Sequence, residues 1–313
     1  MKKVFCIGEL LIDFVAEKQG SDLSKATVFT KKAGGAPANV ACAIAKLGGN
    51  SAFVGCVGVD PFGTFLLQVL QDAGVDVRRA ERSKTFTTLA FVSLSEDGER
   101  DFVFSRGADK ELKYDTQLKN DFKGNMVHLG AATALLGGNL EDTYKHYYFD
   151  ALAQDAFVSF DPNFRGDLWK GNEAMFIMKC TSYIEKSQLC KFSLEEALLL
   201  SGTSNLDNAC SVLHEMGVKI IAITLGKDGT LVSTATVKET IRSIKVSPVD
   251  TTGAGDAFIG CLLQQIATLN DPHAIVTDTK LLLQMVERAN KAGAITTTKY
   301  GAIEALPFQH QLD

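Results

Sequence analysis

The feature that most constrains this chain is an alternation of two kinds of segment. Short, almost uninterrupted apolar runs, several rich in Val and Ile, are separated by amphipathic stretches of helical period. "KKVFCIGELLIDF", "SAFVGCVGV", "NMVHLGA", "AFVSFDPN", "QLCKFS" and "KIIAITLG" read as strands. Strands apolar at nearly every position need both faces covered, which is the condition of a mostly parallel sheet with helices on either side. Between them, "ANVACAIAKLGG" puts Val40, Ile44 and Leu47 on one helical face, with Pro37 just upstream and Gly48 as the stop. "PFGTFLLQVLQDAG" aligns Phe62, Phe65, Leu66, Val69 and Leu70 in one stripe. In such a sheet, ligands bind beyond the carboxyl ends of the strands.

One region departs from the alternation. Thr85 to Gly107, "TFTTLAFVSLSEDGERDFVFSRG", has two β-rich arms around Asp97-Gly98, a hairpin signal. On the second arm Phe102, Phe104 and Arg106 alternate with Asp101, Val103 and Ser105 and so project from one face. A second polar excursion, about 14–32, follows the first strand. Together the two are expected to form a small antiparallel sheet that projects from the large one.

Composition excludes several functions. Lys plus Arg is 32 against 37 Asp plus Glu, a formal charge of -5, with no basic run. That disfavours sequence-independent binding of nucleic acid. No apolar run approaches the roughly 18 residues of a membrane span. Glu9 and Asp13 interrupt the apolar N-terminal segment and no small-residue cleavage site follows, so it reads as a strand rather than a signal peptide. The seven cysteines are scattered, without a CxxC pair, and read as buried reduced thiols of a cytoplasmic protein. The five histidines have no metal-ligand spacing. Neither GxxxxGK[ST] nor GxGxxG occurs.

Three segments can carry chemistry. In "PVDTTGAGDAF", Gly253, Ala254 and Gly255 precede an apolar helical run, and a helix N-terminus with so little side-chain bulk is a natural anion site. Asp256 then stands in the first turn, beside that anion. It either caps the helix or accepts a proton from a hydroxyl attacking a phosphoryl group, and spacing alone leaves both open. In "KKAGGAPANVACAIAKLGG", Gly34-Gly35 permits close approach of a ligand and Asn39 lies just inside the helix. Asp13 is expected at the end of the first strand, either as a turn residue or as a ligand contact. In "ITLGKDGTLV", Gly226 and Gly229 bracket a tight turn, a plain hairpin or a nucleotide loop.

"GGAPANVACAIAKLGG" and, far downstream, "DTTGAGDAF" resemble the two signatures of the ribokinase-like (PfkB) family of carbohydrate kinases. The resemblance covers essentially the whole chain. "GGAPANVA" and "DPNFRGDLW" are most like the fructokinase branch. It implies a single domain over 1–313, a three-layer αβα sandwich with a mostly parallel sheet and a small antiparallel β lid at about 14–32 and 85–107. By resemblance, Asp256 matches the catalytic base, and Gly253, Ala254 and Gly255 the anion hole for the γ-phosphoryl group. Asp13, Gly34, Gly35 and Asn39 match positions that bind sugar hydroxyls; Arg165 matches a basic residue near the substrate, and Arg106 on the lid is a further substrate contact. Thr224, Gly226 and Gly229 match the nucleotide-side loop and Asn290 a position near the adenine. Asp250 and Thr252 match a loop that in many members holds a monovalent cation, usually K+. One departure stands out: "KFSLEEA" has Ser193 where the family usually has Asn. Glu196 keeps the acid associated with Mg2+, and Glu195 is the competing choice.

The resemblance therefore implies ATP- and Mg2+-dependent phosphorylation of a primary hydroxyl, with D-fructose as the expected acceptor. For such late proton transfer an ordinary carboxylate pKa near 4 suffices. Other sugars or ribosides of the same family (2-keto-3-deoxygluconate, ribose, aminoimidazole riboside or a nucleoside) are the nearest alternatives. A non-catalytic sugar sensor and a dinucleotide-dependent oxidoreductase are the rivals from other classes. The lid strands expose an apolar face, from which a homodimer is expected.

Overall fold

The apolar runs become strands in the expected order. In the computed structural model, which describes residues 1–17, 23–94 and 100–313, these are β1 (Lys3–Ile7), β2 (Leu11–Ala16), β3 (Phe29–Gly34), β4 (Asn50–Val54), β5 (Cys56–Gly58), β6 (Glu81–Ser83) and β7 (Leu89–Leu94). There follow β8 (Arg100–Ser105), β9 (Met126–Gly130), β10 (Phe157–Asp161), β11 (Leu189–Ser193), β12 (Ile220–Thr224), β13 (Thr230–Ser233) and β14 (Lys238–Ile241). The large sheet has eight strands in the order β14-β13-β12-β11-β10-β9-β1-β4. From β4 to β12 every pairing is parallel; only the edge pairings β12–β13 and β13–β14 are antiparallel.

Helices cover both faces, as continuous apolar strands demand. They are α1 (Ala36–Lys46), α2 (Pro61–Asp72), α3 (Asn139–Ala153), α4 (Gly166–Trp169), α5 (Glu173–Ile184), α6 (Leu194–Ser201), α7 (Leu206–Met216), α8 (Ala254–Ile266) and α9 (Thr279–Thr296). Strand alternation divides the core in two. Val4 and Cys6 of β1 pack with residues of α1, α2, α8 and α9. Phe5 and Ile7 point the other way, among residues of α3, α5, α6 and α7 that include Tyr144, Phe176 and Leu213. Each fully buried Leu, Ile or Phe on these faces contributes about 1.5–3 kcal/mol. All seven cysteines are free and buried, as expected. No helix among the described residues is long and apolar enough to cross a membrane.

Two apolar runs are broken where the sequence suggested one strand. Gly8 ends β1 at a φ of 147°, and a Cβ there would lie 2.6 Å from Pro37 Cγ and 2.8 Å from the Gly130 carbonyl oxygen. The chain leaves the large sheet at this point and re-enters β structure as β2 in the small sheet. Asp13 therefore does not end the first strand; it lies within β2. "SAFVGCVGV" divides in the same way at Gly55, and β5 pairs with β6 in a two-stranded sheet.

The small sheet has the order β3-β2-β7-β8. Its outer pairs are antiparallel, but the central pair, β2 with β7, is parallel, which corrects the expectation of a wholly antiparallel sheet. Both central strands leave the large domain in the same direction and turn back through their own hairpins. The Asp97-Gly98 turn lies outside the described residues. Register sorts the two faces. Asp13, Ala90 and Phe104 form one row, and Phe14, Phe91 and Val103 the next, with Lys31 opposite Phe14.

Candidate active site

The small sheet roofs a cavity of about 550 Å3 at the carboxyl ends of β1, β10 and β11. Its lining brings together Asp13, Gly35, Asn39, Arg165, Glu196, Thr252, Gly253, Gly255 and Asp256 from the sequence-based set. Phe102 and Phe104 of β8, stacked with ring centroids 5.2 Å apart, close it from the roof. Another hollow of about 620 Å3 surrounds Met1, Lys3, Asn50 and Asp76. Its charges are satisfied by one another, with Asp76 held by Lys3 at 3.0 Å and Arg78 at 2.7 Å. Nothing there calls for a ligand.

Helix α8 begins inside the cavity. Gly253 is its N-cap at a φ of 77°, in left-handed backbone, and a Cβ there would strike Ala302 at 2.8 Å. No side chain caps the helix, so its leading end is open to an anion. Asp256 is buried in the first turn and accepts a 2.8 Å hydrogen bond from Asn39 Nδ2 of α1. This contact joins residues 217 positions apart. Burial pushes the Asp256 carboxyl above its ordinary value, although the Asn39 hydrogen bond, Lys191 and Arg165 act against that. The carboxyl is thus more basic than the ordinary value taken from sequence.

Lys191, on β11, was not singled out from the sequence. It is buried, with its ammonium 3.0 Å from Asp161 Oδ2 and 3.2 Å from where a Cβ on Gly255 would stand. Burial alone would lower its pKa, but Asp161, Glu196 and Asp256 around it prevail and raise it. A cation is therefore held beneath the α8 N-terminus. The available signal was a lone charge inside the near-continuous apolar run "QLCKFS", which a strand covered on both faces does not tolerate without a partner.

Glu196 forms a capping box with Ser193 at the start of α6. Its Oε2 accepts from Ser193 N at 2.6 Å and its Oε1 from Phe164 N at 2.7 Å. The acid expected at a metal is thus engaged by two backbone amides. Glu195 beside it is exposed, lines the cavity and has no hydrogen bond or ion pair among the described residues. Ser193 does the capping that Asn also performs well.

On the roof side, Asp13 lies so close to Gly34 that a Cβ there would sit 2.0 Å from Asp13 Oδ2. Gly35, at a φ of 111°, leaves no room for a Cβ against the Glu9 carbonyl oxygen, 2.5 Å away. Arg165 stands at the N-cap position of the short α4, donates to the Phe164 carbonyl at 2.9 Å and lines the cavity. Arg106 does not. Its Nε bonds Asp109 at 3.0 Å and its Nη1 the Leu136 carbonyl at 3.0 Å, so the expected substrate contact is tied to the base of the small sheet. Asp109 also receives the hydroxyls of Thr88 and Thr133.

The residues matched to the nucleotide lie farther along the same edge and outside the cavity lining. Thr224 ends β12 and donates to the Phe192 carbonyl. Gly226 and Gly229 flank the short turn into β13, both with positive φ. Asn290 of α9 accepts from Thr230 at 2.6 Å and donates to the Ile241 carbonyl at 2.8 Å, so its amide fastens the edge strands. In the loop before α8, Asp250 accepts from Thr252 N and Oγ1 at 2.9 and 2.6 Å and from Gly301 N at 2.9 Å.

Comparison with known proteins points to one family. Residues 1–309 match the model of the pfkB family carbohydrate kinases. The chain is 37% identical over 314 residues to a probable fructokinase-4 of Arabidopsis thaliana, covering 99% of this chain and 95% of that one. Among solved structures, fructokinase from Xylella fastidiosa with bound ATP superposes with a TM-score of 0.88 at 30% identity, covering 99% of this chain and 96% of that one. A fructokinase double mutant from Vibrio cholerae, bound to fructose, ADP and potassium, gives 0.83 at 32% identity, covering 100% and 97%.

Proposed function

The chain belongs to the pfkB family of carbohydrate kinases, and we propose that it transfers the γ-phosphoryl group of ATP to the primary hydroxyl of D-fructose, giving fructose 6-phosphate. The observation that carries this reading is the buried pair Asp256–Asn39 at the uncapped N-terminus of α8, facing a cavity roofed by an aromatic-bearing sheet.

In this reading the sugar lies under the roof, held by Asp13, Gly35 and Asn39, with its primary hydroxyl toward Asp256. The hydroxyl oxygen bonds to the γ-phosphorus as the bond to the bridging oxygen of ATP breaks, and Asp256 takes the proton. A base of raised pKa suits an alcohol, because transfer improves as base and operating pH approach each other. The backbone amides of Gly253 to Gly255 and the α8 dipole stabilise charge on the transferring group. Lys191 adds positive charge from below. Water competes with the sugar for the same phosphoryl group, and closure of the small sheet, a lid on one ribokinase-like domain, excludes it.

Magnesium fits as a companion of the nucleotide rather than a resident ion. Among the described residues no three His, Cys, Asp or Glu side chains cluster as a metal site. Magnesium with a nucleotide keeps waters and phosphates as ligands and takes one or two carboxylates from protein. Glu195 is the carboxylate left free among the described residues, and Glu196, held by Ser193 N and Phe164 N, anchors the first turn of α6 on which Glu195 stands. Bound there, magnesium would offset the negative charge of the phosphates. Asp250 and Thr252 shape the loop in which K+ would lie behind the anion hole. Thr224, Gly226, Gly229 and Asn290 form the wall for the nucleotide. The reading extends to a cytoplasmic enzyme that dimerises through the outer face of the lid. Phe14 and Phe91 stack there at 5.3 Å, and Val28 and Val103 are exposed.

The test is whether ADP release requires fructose and magnesium together, with the product identified by phosphorus NMR as a primary phosphate ester. ADP release independent of sugar would refute the proposal.

A further inference from the structure

Buried acceptors without partners mark where a donor is missing. Three such oxygens line the cavity, Glu9 Oε2, Asn39 Oδ1 and Asn163 Oδ1, while Asp161 Oδ2, outside the lining, has only an ion pair. Asp161 Oδ2 faces the Lys191 ammonium, and Asn39 is already assigned to the Asp256 side of the site. Glu9 and Asn163 have no such account. Both are almost completely buried, and both line the cavity.

Their placement is enforced by the backbone. Glu9 follows β1 and Asn163 follows β10, the two strands that flank β9 in the sheet. β9 ends in Gly130, where a Cβ would stand 3.0 Å from Asn163 Oδ1 and 2.8 Å from Pro37 Cγ, so glycine keeps the floor between the two side chains open. Glu9 Oε1 accepts from Ala36 N at 2.9 Å, which fixes the carboxyl group; burial pushes its pKa up to about 7, so above neutral pH it is ionised and Oε2 is left as an acceptor for something else. Asn163 adopts a left-handed φ of 47°, which Asn tolerates better than most residues, and its own N–H bonds Asp161 Oδ1 at 3.2 Å. An unpaired buried acceptor is costly, and two on one wall suit a ligand that brings its own donors.

We propose that Glu9 and Asn163 form a second hydroxyl-binding wall, distinct from the Asp13–Asn39 set, which accepts hydrogen bonds from the sugar and selects a fully hydroxylated acceptor over deoxygenated analogues. This rests on the sugar-kinase reading above. The discrimination arises because an analogue lacking a hydroxyl leaves a buried acceptor of the protein unpaired, which rejects it far more strongly than the loss of a methylene would.

Glu9→Gln tests this with little change of shape. The amide oxygen can still accept from Ala36 N, while the second oxygen is replaced by an NH2 donor. Sugar affinity is measured by calorimetry with fructose, and KM for fructose and ATP by steady-state assay. The expected result is a rise of about tenfold or more in the fructose Kd and KM, with the ATP KM and the melting temperature unchanged. Asn163→Gly, which suits the backbone angle and removes the acceptor, is expected to do the same. A deoxyfructose lacking the hydroxyl that Glu9 accepts should bind wild type poorly and lose nothing further in Glu9→Gln. Wild-type fructose affinity in both variants overturns the second wall while leaving the kinase reading intact. Failure of the wild-type enzyme to bind or phosphorylate any sugar overturns both.

Discussion

Replacing Asp256 by Asn removes one negative charge and almost no volume. An amide oxygen at the same place can still accept from Asn39 Nδ2, the 2.8 Å bond that ties α1 to α8. The architecture should survive, and only proton acceptance should be lost. Positioned general bases contribute about 10²–10⁴ in rate, which at ~1.4 kcal/mol per decade is roughly 3–5.5 kcal/mol of barrier. The expected outcome is a fall of that size in kcat with fructose and ATP binding nearly unchanged. Stability should move the other way. Burial raises the folded-state pKa of Asp256 above its ordinary value. A carboxylate whose folded pKa is raised destabilises the fold above the unfolded pKa, and this penalty disappears as pH falls below about 4. Asp256→Asn should therefore melt at or above the wild-type temperature near neutral pH, with the advantage vanishing in acid. Single-turnover kinetics and calorimetry across pH measure the two halves. Near-normal turnover would refute the assignment of the base. A clear loss of stability near neutral pH would refute the claim that the buried charge is a burden carried for function.

Two other substitutions probe neighbouring parts of the site. Gly34→Ala places a methyl where Asp13 Oδ2 now lies, 2.0 Å from the ideal Cβ position, and so displaces that carboxylate; the KM for fructose should rise roughly tenfold or more while the KM for ATP stays put, and equal changes in both would point to general disruption. Lys191→Met leaves Asp161 buried without its counter-ion, a loss of about 3–5 kcal/mol by analogy with broken buried pairs. Adding Asp161→Asn should recover most of that stability in denaturant titrations but not the turnover, and a double variant no more stable than the single would contradict the pairing.

Much of the architecture was legible because it is repetitive. Continuous apolar strands with helices between them admit few arrangements, and the mostly parallel sheet and the positions of α1, α2 and α8 follow the pattern. The reading failed where one apolar run hid two strands. In "KKVFCIGELLIDF" the single charge Glu9 after Gly8 does not by itself mark a strand end, and the break there is set by Pro37 and Gly130, which are distant in sequence. Asp13 was misplaced for this reason. The parallel pairing of β2 with β7 is likewise a matter of where two excursions leave the large sheet.

Within the site, residues in long motifs were found and isolated ones were missed. Asp256, Asn39 and Gly35 come to one cavity as expected. Glu9 counted only as an interruption of hydrophobicity, Asn163 was passed over beside Arg165, and Lys191 went unnoticed inside "QLCKFS". Their burial and unpaired atoms arise from tertiary contacts that no local window contains. Arg106, expected as a substrate contact, is instead bound by Asp109 and the Leu136 carbonyl and is absent from the cavity lining, though its Nη2 keeps no partner.

The central claim is that this cavity accepts a neutral ketohexose for phosphorylation. The most direct test is the steady-state kcat/KM, with magnesium and ATP and with and without potassium, for fructose, glucose, ribose, 2-keto-3-deoxygluconate, aminoimidazole riboside and adenosine. The account predicts fructose at the head of that series. A much higher kcat/KM for ribose, a riboside or the keto acid would contradict it.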